Sequence, residues 1–219
     1  MPALSTQLIN LFAALLLLLA FAMLTQRRIL SLINLFALQG FVLMLSTAVV
    51  AYSTRQHHLY LSAAVTLVLK VILLPWFLHW LLDKLNVRWD VEPIVNIPAQ
   101  MLIGIALVIF AFNLAAPISE MAGTVTRSAL GIALASILLS FLMMITRRKA
   151  VSQVIGFLAM ENGLFFAGTS ATYGMPMIVE LGILFDVLVA ALIFGVFFFH
   201  IRETFESLDI HHLEKLKDR

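Results

Sequence analysis

Cysteine is absent from the 219 residues, which excludes disulfides, thiolate metal sites and cysteine-held iron–sulfur clusters from this chain. Charge is scarce. Asp, Glu, Lys and Arg make up 12% of the residues against 62% hydrophobic ones, too little charge to cover a soluble surface. There is no glycine-rich phosphate loop, no metal-ligand spacing and no nucleophile–base constellation. Basic residues form no patch for nucleic acid, because they stand singly or in short clusters at the ends of apolar runs.

What is abundant is the apolar run of roughly 20 residues, the length a helix needs to cross a bilayer core. Seven such spans are expected: Leu4–Leu24, Ile29–Tyr52, Leu59–Leu82, Pro98–Leu114, Ser128–Ile145, Ala150–Ala171 and Met177–Ile201. Helix is the economical conformation for each, since an open sheet edge cannot be satisfied in lipid, and the alternation of a transmembrane barrel is missing. The fold class is therefore all-α, a polytopic bundle of about seven transmembrane helices. The charges of the first span follow its apolar run instead of preceding it, which argues against a cleaved signal.

Arginine and lysine set the expected orientation. One side holds Arg27, Arg28, Lys84, Arg88, Arg147, Arg148, Lys149, Arg202, Lys215, Lys217 and Arg219, whereas the other holds only Arg55 and Arg127. The first side should face the cytoplasm, with the N-terminus outside and the C-terminus inside. Trp76, Trp80 and Trp89 fall toward the first side, and Tyr52, Tyr60 and Tyr173 toward the second.

An internal repeat is visible. Thr25-Gln-Arg-Arg-Ile-Leu-Ser31 parallels Thr146-Arg-Arg-Lys-Ala-Val-Ser152, and Ala37-Leu-Gln-Gly40 parallels Ala159-Met-Glu-Asn162 with a one-residue shift. Leu69-Lys-Val71 then matches Phe185-Asp-Val187 in outline, and Leu78-His79 matches Phe199-His200. Two three-helix units in parallel orientation are expected, at 1–82 and 128–201. A connecting span and its loops fill 83–127, and an amphipathic tail with Phe205, Leu208, Leu213 and Leu216 at helical spacing occupies 202–219.

Three charged side chains fall near mid-depth: Lys70, Glu161 and Asp186, each roughly 15–18 Å from a helix end at ~1.5 Å per residue. A charge at that depth costs a few kcal/mol, so such residues face the bundle interior, pair with one another or line an ion path. Two acids and one base cannot all be neutralised pairwise, and one carboxyl is expected to hold a transferable proton. Glu180 is shallower on the outer side, and His79 is shallow on the cytoplasmic side with Asp83 four residues on. His79, the central level and Glu180 thus form a series across the membrane. Pro75 should kink the third span and free the carbonyl of Val71 one turn earlier. Asn162, Gln39, Gln153 and Asn113 offer polar surface for helix contacts or water wires. His79 and His200 are the one histidine pair on opposed spans suited to haem ligation, although interfacial placement explains both equally well. No cofactor is expected within the chain.

The segments Ala159-Met-Glu-Asn-Gly163, Val179-Glu-Leu-Gly-Ile183 leading to Asp186, Lys70-Val-Ile-Leu-Leu-Pro75 and the tail from Leu208-Asp209 through Leu213 to Leu216-Lys217 resemble hydrogenase-4 component E. The second three-helix unit is also similar to the K-type subunit of complex I and the C-type subunit of multisubunit cation/proton antiporters. In the K-type subunit, acids on two successive helices serve the proton path. The resemblance implies that Glu161 takes the first of those places and Asp186 the second, with Asp for Glu. The first unit departs from the pattern, with Gln39 and Lys70 where acids would stand. The resemblance implies a non-redox membrane-arm subunit of a group 4 hydrogenase or complex I-like assembly, in a bacterial or archaeal cytoplasmic membrane. Its partners would be antiporter-like and anchor membrane subunits and a cytoplasmic redox arm met by the tail. A stand-alone secondary cation transporter and a passive scaffold subunit are the competing classes.

The charge asymmetry makes a direct prediction. A tag at the N-terminus is expected to be accessible from outside intact cells and one at the C-terminus protected; the reverse accessibility overturns the depth order.

Overall fold

The computed structural model describes residues 2–85, 94–122 and 127–172, and beyond them Gly182, Phe185, Leu188 and Val189. The described chain is a bundle of membrane-length helices: α1 (Pro2–Thr25), α2 (Ile29–Thr54), α3 (His58–Thr66), α4 (Leu74–Leu85), α5 (Ile97–Ala122), α6 (Arg127–Thr146) and α7 (Ala150–Thr172). A π-helical segment, Leu67–Leu73, joins α3 to α4 without a break. Counting α3 to α4 as one, six helices among the described residues are long and apolar enough to cross a membrane. The chain is thus a helical membrane bundle, as its apolar runs predict. The seventh expected span, Met177–Ile201, lies largely outside the described residues, as does the tail.

Three helix ends have a local reason. Thr25 donates its hydroxyl to the Ala22 carbonyl and Thr146 to that of Leu142, supplying partners to last-turn carbonyls. At the other end of α2, Arg55 takes the left-handed conformation (φ 56°) that stops a helix.

The third span differs from the uniform, proline-kinked helix expected of it. The Leu74 N–H reaches the carbonyl of Leu69, five residues back instead of four. In this wider register the carbonyl awaiting a donor at residue 75 is that of Lys70 and not of Val71, and proline has no N–H to give. The wide turn is centred on Lys70.

Two apolar clusters flank a polar layer in the middle of the bundle. Toward the arginine-rich end, Met23, Leu24, Ile29, Leu32 and Phe36 pack against Leu74, Leu78 and Leu81 and against Leu139, Met143, Ile155 and Leu158. On the far side, Ala13, Leu16, Val42, Leu43 and Ala133 close around Phe165 and Phe166. Between these clusters lie the buried Gln39, Lys70, Glu161 and Asn162. α1 packs on α6 and α2 on α7, while the π segment lies on α2. Close approach is local to glycine: a Cβ on Gly40 would sit 3.2 Å from Lys70 Cβ, and one on Gly163 3.3 Å from the Ile137 backbone nitrogen.

Arg147, counted from sequence among the loop charges of one side, is turned inward and fully buried. Its Nη2 donates to the Leu24 carbonyl at 2.7 Å and the Met23 carbonyl at 3.2 Å, in the last turn of α1. The Arg147 carbonyl in turn accepts from Gln153 Nε2 (2.9 Å), and that of Thr146 from the Ile94 N–H (2.9 Å). The guanidinium therefore caps a helix more than 120 residues away in sequence, where the negative end of the helix dipole favours a cation. Burial pushes it down from its ordinary value, though an arginine keeps its proton in proteins.

Replacing Arg147 by Ala is expected to lower stability by about 1.5–3 kcal/mol, the usual worth of hydrogen bonds made by a charged group. Thermal unfolding in detergent measures it, and an unchanged midpoint contradicts the capping role.

Candidate functional site

Lys70 belongs to the π segment, Gln39 and Gly40 to α2, and Glu161, Asn162 and Phe165 to α7. Glycine at position 40 lets the α2 backbone lie against the Lys70 stem, and the wide turn sets where that stem leaves its helix. Lys70 Nζ lies 3.7 Å from Glu161 Oε2, with both side chains almost wholly buried. That separation is an ion pair slightly beyond hydrogen-bond length. The ammonium also stands over the Phe165 ring, 5.6 Å from its centroid, a cation–π distance. Beside the pair, Asn162 Nδ2 donates to Gln39 Oε1 at 3.2 Å, tying α7 to α2. Gln39 Nε2 and Asn162 Oδ1 are buried with no hydrogen-bond partner among the described residues. The centre thus offers one cation, one carboxylate and unspent amide capacity within one polar layer.

The other sequence-predicted residues distribute as follows. His79 lies nine residues beyond Lys70 on the same continuous helix, about 13 Å along its axis at 1.5 Å per residue. It is half-buried, with Nδ1 2.8 Å from the Pro75 carbonyl. A carbonyl can only accept, so in this bond Nδ1 carries the proton. Asp83 is exposed. Asp186 and Glu180 lie outside the described residues, as does His200. Of the neutral polar residues, Gln39 and Asn162 join the centre, Gln153 serves the Arg147 turn, and Asn113 is exposed on α5.

Two features escape a sequence reading of the site. The π register has one weak sequence signal, Pro75 five residues after Lys70. Arg147 has a signal of a different kind: at the place of Gln26 in the repeated Thr-x-Arg turn, the second copy carries a charge.

The fold and this layer define a polytopic helical membrane protein built around a buried ion pair. The chain is 35% identical over 153 residues to "Uncharacterized protein Rv0085" of Mycobacterium tuberculosis, a match covering 69% of this chain and 70% of that one. It is 24% identical over 182 residues to "Hydrogenase-4 component E" of Escherichia coli K12, covering 83% of this chain and 84% of that protein, and matches the Shigella flexneri protein of that name equally. No family model and no solved structure matches. The chain belongs to one family with the mycobacterial protein and is a distant homologue of hydrogenase-4 component E.

The pair makes a stability prediction. Lys70→Met leaves a carboxylate buried without its cation and is expected to cost about 3–5 kcal/mol. The double variant Lys70→Met/Glu161→Gln should recover most of that loss in thermal unfolding; strictly additive losses contradict the coupling.

Proposed function

We propose that this chain is a non-redox membrane-arm subunit of a group 4 hydrogenase or complex I-like assembly, helping to move protons or sodium ions while partner subunits transfer electrons. The observation that carries the reading is the Lys70–Glu161 pair, held in a polar layer between two dry clusters. Distant homology to hydrogenase-4 component E supports the class of assembly. Antiporter-like and anchor subunits are the proposed membrane partners, with a redox arm met by the tail on the cytoplasmic side.

Glu161 is the proposed proton carrier. When a proton reaches its carboxylate, the attraction holding Lys70 disappears, and the ammonium turns to a second acid. Asp186 is proposed for that place; in sequence it stands four residues after Gly182, which approaches the Phe165 ring, and three before the buried Val189. Release of the proton from Glu161 restores the first pair. Lys70 thus exchanges carboxylates while net charge in the centre changes by one proton per cycle. Glu180 and His79 are proposed for the outer and inner approaches, with His79 Nε2 as the exchanging atom.

One observation favours a second reading. A carboxylate and an aromatic face together surround the ammonium, as they would in a static clamp that only locks the π segment to α7. Two substitutions separate the readings. Glu161→Gln keeps size and hydrogen bonding but cannot release a proton in this range. Lys70→Arg keeps the cation but, with its planar fork, does not exchange partners or protons in the same way. In purified complex returned to vesicles, the relay predicts assembly with coupled ion movement reduced at least tenfold in both variants. Normal coupling in the assembled Glu161→Gln complex sinks the relay and leaves the clamp.

A further inference from the structure

α5 buries the smallest share of its surface among the six membrane-length helices. Gly104, Ala111 and Ala115 turn inward, where a Cβ on Gly104 would meet the Phe21 ring at 3.0 Å and Leu139 at 3.1 Å. The opposite face is open along Leu102, Ala106, Ile109, Asn113 and Pro117. The first three steps alternate four, three and four residues, the spacing of a seam that receives another helix. Ala106 adds a small residue where a neighbouring backbone can approach closely.

Lipid suits every member of this face except one. Asn113 lies five residues past the middle of the span Ile97–Ser119, about 7.5 Å from mid-depth and so within a hydrocarbon half-layer of about 15 Å. Its Nδ2 donates to the Ile109 carbonyl at 2.8 Å, which leaves Oδ1 exposed as an acceptor. Pro117, four residues on, has no N–H for the Asn113 backbone carbonyl. Two acceptors therefore meet at one level of a surface that would otherwise face hydrocarbon, where unsatisfied polar groups are expensive. An acceptor pair calls for a donor, and neither an acyl chain nor an apolar helix has one.

We propose that this face of α5 receives a transmembrane helix of another subunit, carrying a hydroxyl, amide or amine donor at the level of Asn113. The proposal rests on the reading of the chain as a subunit of a larger assembly and specifies which of its surfaces meets that assembly. Ala106 and the four-three spacing set the approach, while Asn113 fixes its vertical register.

The absence of cysteine permits single-cysteine probes at Leu102 and Ile109, with exposed Leu18 of α1 as the control, in otherwise native membranes. Labelled with a thiol-reactive photocrosslinker, the two α5 positions are expected to form an adduct with one membrane subunit of the complex, and Leu18 not to. The companion experiment is Asn113→Leu. If the face is buried against a donor helix, the variant should lower retention of that same subunit in mild detergent roughly tenfold, as loss of an interhelical hydrogen bond worth 1–2 kcal/mol implies. If the face meets lipid, the same change removes an exposed polar group, so retention is unchanged and the isolated chain unfolds at a higher temperature. That outcome overturns the docking face while leaving the subunit reading intact. An adduct of twice this chain's mass overturns it in favour of a second copy. Wild-type chain that purifies alone from native membranes overturns both readings.

Discussion

A lysine at the middle of a membrane bundle sets terms for everything near it. Water is the cheapest partner for an ammonium, and hydrocarbon removes it, so Lys70 needs a carboxylate from a different helix. That requirement brings α7 to the π segment, since Glu161 must stand within ion-pair distance. It also requires α2 to yield space, which glycine at position 40 does. The Gln39–Asn162 bond then fixes α2 to α7 at the same level. A polar layer of this kind is tolerable because dry clusters close it on both sides, and each bond inside is stronger for the low dielectric around it.

The chain handles its second fully buried cation by other means. Arg147 has no need of an acid to be held, because the last carbonyls of α1 supply partial negative charge and open acceptor positions together. The two solutions suit different tasks. A guanidinium bonded to backbone oxygens cannot exchange them without unwinding a helix, so that contact is fixed and joins α1 to the α6–α7 turn. An ammonium at 3.7 Å from one carboxylate oxygen makes no such directional demand and can change partners through rotations of a flexible stem.

Much of this was legible in the sequence because the bilayer enforces simple rules. Span length, helical conformation and the isolation of Lys70 and Glu161 at one depth all follow from hydropathy and 1.5 Å per residue. The choice of Glu161 as the described partner of Lys70 was open, because sequence places Asp186 at the same level and gives no azimuth. The π register was not legible: Pro75 is compatible with an ordinary kink, and the selection depends on which carbonyl each amide reaches. The burial of Arg147 was not legible, because the positive-inside count assigns a charge to one side of the membrane and says nothing of how it packs there. Asn113 reads in sequence as interhelical glue, and the structure puts it on an exposed face that none of the described helices covers.

The π turn connects the static and the moving descriptions of the centre. An α-helix holds each backbone oxygen in one ladder, and a side chain on it leaves in one direction. Inserting a wide turn loosens that ladder over Leu67–Leu73, and such turns are frequent at functional sites. Lys70 is the charged residue within that segment, and proline follows where the next amide would have pulled the ladder tight. Below it, His79 has turned its ring to the Pro75 carbonyl, so a titratable side chain is bonded to the backbone of the proline itself. A shift of register at Lys70 would therefore be felt at His79 through Pro75, one turn away on a continuous helix. Among the described residues, the one loosened turn stands at the mid-membrane cation, where a change of partner would need the backbone to give.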